Sequence, residues 1–295
     1  MADGRLVSHF EESASTMWTP LMRWQRQRDQ PSEAGEYGYM DRVSQVNLKF
    51  DRSRHHVAQL TDAIRDYLDR EPFAVYEEEE PEGNLVYRVR VGEPPPAELS
   101  LMLGDAIHNA RSALDYLAWQ LVEASGGTPS SSNSTMFPIA KSERDFIKAY
   151  PERLKGASAE AITAVRSLRP FSGGDERFWR LHRLDIADKH HLLVTVGLAS
   201  PSVNVSLGLP DGPRMVLPIL PADRACLLED GAAVFRVMKA ARESASQGMG
   251  GPDSFSFDVA FGEGAIVSGK PIVPTLPDII EGVRNAVTPI YRLLA

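Results

Sequence analysis

The sequence predicts an α+β fold: a helical bundle with an inserted β-hairpin, followed by a small antiparallel sheet and a C-terminal helix. Three observations carry that expectation. Two long segments, about 41–70 and 97–124, repeat apolar residues at helical spacing. Between them lies "FAVYEEEEPEGNLVYRVRV", whose second half alternates apolar and polar residues around a turn-forming "EPEGN". After residue 191 the helical patterns give way to short β-branched runs divided by Pro and Gly.

Along the chain, residues 1–39 read as a loosely ordered N-terminal arm, polar and punctuated by Pro31, Gly35 and Gly38, with Trp18 and Trp24 available to dock it. The bundle then occupies 40–190, with the hairpin at 72–92. Its first helix carries Val43, Val46, Phe50, Val57, Leu60, Ile64 and Tyr67 as a heptad-like stripe broken at Ser53. A stripe that long needs a partner helix or a second copy of the chain, so the sequence raises a homodimer through the 41–70 helix. His55 and His56 fall outside the stripe and are expected in solvent. Pro72 stops the helix, and the acidic run Glu77–Glu80 reads as a solvated hairpin tip.

"GEPPPAE" starts the next helix, which can run antiparallel to the first. Leu103, Ala106, Ile107, Ala110, Ala113, Leu114, Leu117 and Leu121 line one of its faces. A loop, "SGGTPSSSNST", follows. Shorter helices come at "ERDFIKAY", "SAEAITAVRSL" and about 175–190. Residues 191–295 then form a small β-rich segment and a C-terminal helix packed on the bundle. The strands are expected in "LLVTVGLA", "SVNVSLGL", "RMVLPIL", "AAVFRVM" and "SFSFDVAFG", with "ESASQGMGGPD" as a loop. In the last helix Ile279, Val283, Val287 and Ile290 form an apolar face, and Pro289 marks a kink.

Composition narrows the function classes. The 295 residues are 43% hydrophobic and 24% charged, with a formal net charge of −8. An acidic balance opposes broad nucleic-acid binding, which depends on Lys and Arg neutralising phosphates. The single cysteine, Cys226 in "ACLL", excludes an intramolecular disulfide and reads as a buried structural thiol. No apolar run approaches the roughly 20 residues that span a bilayer, and the first residues lack the pattern of a signal peptide. The expectation is a soluble, cytoplasmic protein with no membrane partner.

Two polar constellations stand out. At 100° per residue, Asp105, His108, Ser112, Asp115 and Trp119 share a sector of about 80° on the 97–124 helix. Asn109 and Tyr116 flank one side and Arg111 the other. His108 could act as a general base beside a carboxylate, and Arg111 could hold a phosphate or an anionic intermediate. The structural alternative pairs Arg111 with Asp115, with Asp115 buried, and gives His108 a hydrogen bond to a neighbouring helix. Spacing alone favours that alternative. The second constellation is "LHRLDIADKHH", with His182 and Asp185 at i,i+3 and Asp185 and Lys189 at i,i+4. Lys189, His190 and His191 complement the negative end of the helix dipole. Functionally, His182, Asp185 or His190 would face the first constellation across the bundle.

At these residues a resemblance emerges. "HNARSALDYLAWQL" followed about 70 residues later by "DIADKHH" resembles a bacterial family with a helix of the form "HNLRSALDHLA" and a later "DKHR". More distantly, the helix is similar to the HEPN superfamily, helical bundles that include metal-independent RNases of toxin–antitoxin and phage-defence systems. Their signature is an Arg, four to six residues beginning with a polar one, then a His. Arg111 and Ser112 match; Tyr116 stands where the pattern has His. The resemblance implies RNA as substrate or ligand, with Arg111 and Tyr116 at the site. His108, one turn before Arg111, is by its position the available substitute base, although it is not part of the family pattern.

Three readings follow. The first is a non-catalytic interaction or ligand-binding bundle whose polar residues are internal pairs, with Asp105, Asn109, Asp115, His182, Asp185, Lys189 and His190 as binding residues. The second is a HEPN-like metal-independent RNase or RNA-binding protein with His108, Arg111 and Tyr116 in one polar cleft. The third is a metal-dependent hydrolase or oxidase with histidines and carboxylates on facing helices. There is no "HExxH" and no pair of "ExxH" motifs, so the sequence itself names no cofactor and no metal ligand.

Overall fold

The computed structural model describes residues 40–130, 134–190, 193, 195–199, 202–207, 215–218, 228–239, 249–254, 257–262 and 267–295. The expectations for the 1–39 arm, for His191 and for Cys226 lie outside the described residues. The α+β class holds. Helix α1 spans Arg42–Leu68, the hairpin is β1 (Phe73–Glu79) and β2 (Leu85–Val91), and α2 spans Ala97–Ala124. Three shorter helices follow, α3 (Glu143–Arg153), α4 (Ala159–Ser167) and α5 (Glu176–His190). Strands β3 (Thr195–Ala199), β4 (Ser202–Leu207), β5 (Met215–Pro218), β6 (Ala233–Val237), β7 (Met249–Ser254) and β8 (Phe257–Phe261) lead to α6 (Ile272–Val287) and a terminal 3₁₀ turn, Thr288–Leu294.

The apolar stripes explain the bundle. Val46, Phe50, Leu60, Ile64 and Tyr67 of α1 are buried, as is every residue of the apolar face expected on α2. Contacts pair Gln45 with Gln120, Ser53 with Ala106 and Tyr67 with Glu93. Numbers rise on one helix as they fall on the other, so α1 and α2 run antiparallel. Helix α6 also runs antiparallel to α1, with Arg54 on Glu281 and Asn47 near Tyr291. It contributes buried Leu276, Ile279, Ile280, Val283 and Val287 to the same core. The long stripe therefore finds its partners within the chain, which removes the argument that it needs a second copy.

Ser53 does not break the packing. It is fully buried, and its hydroxyl donates to the Ala106 carbonyl at 2.7 Å. A small side chain lets the two helices approach there. His56 is buried as well, contrary to the solvent position expected for it. It sits three residues beyond Ser53 and four before Leu60, on the edge of the same stripe. Burial and then the nearby Arg52 lower its affinity for a proton.

The later strands do not make one sheet. Strand β6 joins the hairpin in the order β1-β2-β6, β3 pairs with β8, and β5-β4-β7 form a third antiparallel group. Tyr87 and Phe235 are opposite each other and stack at 5.6 Å, which ties β6 to the hairpin. The expected loop at 243–253 overlaps β7, Met249–Ser254. Its Gly and Pro content hides a strand that pairs by main chain on the edge of its group, where Pro is tolerated. The acidic hairpin tip is exposed at Glu77, Glu78 and Glu79, as expected, with Glu78 paired to Arg88 and Glu80 to Arg236 at 2.7 Å. Helix α6 begins earlier than its apolar face suggests, with Pro271 as its cap. At its other end Pro289 marks a change to 3₁₀ geometry rather than a kink. No helix of the described residues is long and apolar enough to cross a membrane.

Candidate functional site

Helix α2 buries most of its surface, and several of its polar residues are drawn into contact with neighbouring elements. The two sequence constellations converge where α5 packs on α2. Nδ1 of His108 lies 3.2 Å from Oδ1 of Asp185, and Nζ of Lys189 donates to Oδ2 of Asp185 at 2.6 Å. The carboxylate is only 3% exposed, whereas the His108 side chain is 54% exposed. A buried anion is thus held between two cation-forming groups that reach out to water.

Arg111 is held in a different way. Its guanidinium donates to Asp115 Oδ1 at 2.7 Å and to the Phe137 carbonyl at 3.3 Å. The same Asp115 oxygen accepts the Phe137 backbone N–H at 2.9 Å. This three-way link fastens the chain at Phe137 onto α2, and Phe137 stacks on Phe178 of α5 at 5.7 Å. The burial is the reverse of that expected from the sequence. Arg111 is 6% exposed and Asp115 40%. A helical wheel places Arg111 at the edge of the polar sector, but the returning chain covers that edge.

His182 shares this surrounding. Its Nδ1 is buried with no hydrogen-bond partner, and its ring lies 6.0 Å from that of Trp179. Burial, and then the Arg111 guanidinium, push its pKa down to about 4, against the pull of Asp185 and Asp115. The imidazole is therefore neutral at pH 7. Asp188, which the sequence reading passed over, joins the seam from the α5 side. Burial and the Asp185 carboxylate raise its pKa. A Cβ on Gly104 would be driven into its carboxylate. A glycine in mid-helix was the available signal for this close approach.

The remaining residues disperse. Tyr116 is 43% exposed and faces α1, with Lys49 Nζ 5.6 Å from its ring centroid. Arg111 and Tyr116 are about 140° apart on the helix, so they do not share the cleft that the RNase reading expects. Asn109 donates to the Asp105 carbonyl at 2.8 Å. Asp105 itself is exposed, as is His190 at the end of α5. Among the described residues, no group of three or more His, Cys, Asp or Glu side chains is placed to hold a metal ion.

Chemically, the seam can do two things. It can fix α5 and the 137 segment on α2 through charge-assisted hydrogen bonds. It can also present one oriented imidazole, His108, to solvent with a carboxylate behind it. No family model, no curated protein and no solved structure matches the chain.

Proposed function

We propose that this chain is a non-catalytic binding protein, a helical bundle whose polar seam between α2 and α5 is structural. The observation that carries this reading is the state of Arg111. An arginine that binds phosphate or stabilises a developing anion must offer free N–H groups. This one is buried against Asp115 and the Phe137 carbonyl. The neutral His182, whose Nδ1 is buried, supports the same reading, since a proton-transfer group needs access to its substrate.

The test is incubation of the purified chain with a labelled mixed-sequence RNA in EDTA, alongside Arg111→Ala and His108→Ala. The expected result is no cleavage by any of the three, with Arg111→Ala less stable. EDTA-resistant cleavage that disappears in a folded His108→Ala variant would overturn the reading.

A second reading, HEPN-like acid–base chemistry on RNA, has one observation in its favour. His108 is exposed and oriented by Asp185, the arrangement by which a carboxylate fixes the tautomer of a catalytic imidazole. The cleavage experiment separates the two readings.

A further inference from the structure

One groove of the bundle lies apart from the polar seam. It is lined by Gln45, Leu48, Lys49 and Arg52 of α1 and by Asn109 and Tyr116 of α2, and it has a volume of about 320 Å³. Its charge is the informative feature. The chain as a whole carries −8, and other cations of α1 are already engaged. Arg54 pairs with Glu281 at 3.0 Å, Arg65 pairs with Asp62 at 3.0 Å, and Arg42 donates to the Leu294 carbonyl at 3.4 Å. Lys49 and Arg52 make no ion pair among the described residues. Both line this groove, so two cations without an ion-pair partner among the described residues stand together on an acidic protein.

The other lining groups add shape to that charge. Tyr116 is partly open to solvent. The Lys49 ammonium stands over it rather than on a carboxylate, and its flexible stem lets it swing to a nearby anion. Asn109 spends its N–H on the Asp105 carbonyl, which leaves its carboxamide oxygen to accept from a ligand. A volume at the lower end of the range for ligand sites suits one ring system and one anionic group, not an extended cofactor.

We propose that this groove binds a compact anion bearing a flat ring, of the class of a nucleoside monophosphate. Lys49 and Arg52 hold the phosphate, Tyr116 stacks on the base, and Asn109 accepts from a base N–H. The proposal rests on the reading of the chain as a binding protein and names the ligand class that such a protein would take. The same chemistry is offered by a free nucleotide and by a nucleotide within a single-stranded chain.

The experiment is calorimetric titration of the full chain with AMP, adenosine, inorganic phosphate and a short single-stranded RNA. Saturable AMP binding is expected, about tenfold tighter than adenosine or phosphate alone. Lys49→Gln, Arg52→Gln and Tyr116→Leu should each weaken it by roughly tenfold with unchanged thermal unfolding. If the RNA binds more tightly than AMP through the same three residues, the ligand is a nucleotide within a strand; if not, it is the free nucleotide. Both outcomes support the site. No saturable AMP binding at millimolar concentration overturns it, as does affinity unchanged in the Lys49→Gln/Arg52→Gln double variant, or phosphate binding as tightly as AMP. These failures leave the non-catalytic reading intact. Conversely, RNA cleavage that depends on His108 overturns that reading without touching the AMP affinity of the groove.

Discussion

Oδ1 of Asp185 on α5 lies 3.2 Å from Nδ1 of His108 on α2, so a ring that is more than half exposed is tied to a carboxylate that is almost wholly enclosed. The other carboxylate oxygen accepts from Lys189 at 2.6 Å. This asymmetry has an energetic consequence. His108 and Lys189 can each be rehydrated when a contact is lost, but Asp185 cannot. Either partner alone partly compensates the buried charge. Losing both leaves it uncompensated, which is the expensive case. His108→Ala and Lys189→Ala should therefore each cost about 1 kcal/mol, and the double variant should cost about 1–2 kcal/mol more than their sum. Urea unfolding of the four proteins measures this coupling. Strict additivity would show that Asp185 does not depend on the pair.

The pH dependence of stability follows from His182. An imidazole in the unfolded chain takes a proton near pH 6.5; in the fold, burial and then Arg111 lower that to about 4. Between those values the folded state binds fewer protons. Its stability is fully present above pH 6.5 and declines as the pH falls towards 4. The shift bounds the loss at about 3 kcal/mol, and the ring's partial solvent contact brings the expectation nearer 2. His56 shifts in the same direction. Asp188 and Asp258, whose carboxyls are raised by burial, act with the opposite sign. Removing His182 isolates its share of the decline between about pH 6.5 and 4. Chemical denaturation across that window should show the decline in wild type and a much flatter profile in His182→Leu. An equal slope in the two proteins would refute the assignment.

For the Arg111–Asp115 pair, the more damaging substitution is the one that removes the more exposed partner. Asp115→Ala would leave a buried guanidinium without an acid and the Phe137 N–H without its acceptor. That combination is worth about 3 kcal/mol. Arg111→Ala leaves Asp115 with water and the Phe137 N–H, and costs the Phe137 carbonyl its donor, about 2 kcal/mol. Unfolding midpoints of the two variants give the order directly. A larger loss for Arg111→Ala would mean that side-chain packing, rather than the stranded charge, dominates.

These cases also show what the sequence made legible and what it did not. Periodicity found the whole apolar face of α2, because that face is set by one axis and one period. The hairpin register was equally local: Leu85, Tyr87, Val89 and Val91 pair across to Glu79, Glu77, Val75 and Phe73. Arg111 was misplaced because its environment is made by residues 26 positions away, where Phe137 returns to cover it. His56 was misplaced because a strict heptad leaves out the positions at the edge of the stripe, where the fold buries it. Strand β7 was missed because a main-chain ladder needs no side-chain pattern, and β6 was expected with its sequence neighbours although its partner is the hairpin. The convergence of His108 with Asp185, 77 residues apart, could be posed from spacing but not decided by it.

Gly104 supplies the last test, because two rules give opposite signs there. In an exposed helix interior, Gly→Ala gains about 1 kcal/mol from propensity and backbone entropy. At this position the added methyl meets the carboxylate of Asp188, and overpacking of that kind costs about 1–3 kcal/mol. Asp188 is already disfavoured as an anion by burial and by Asp185, so it has no comfortable place to move within the seam. Gly104→Ala should thus destabilise the wild-type chain by about 1 kcal/mol. In an Asp188→Ala background the obstruction is gone, and the same substitution should stabilise by about 1 kcal/mol. The reversal of sign, read from thermal unfolding of the four proteins, is the expected result. A stabilising Gly104→Ala in the wild-type chain would mean that Asp188 moves freely, and that the close approach of α5 to α2 at Gly104 does not hold the seam in place.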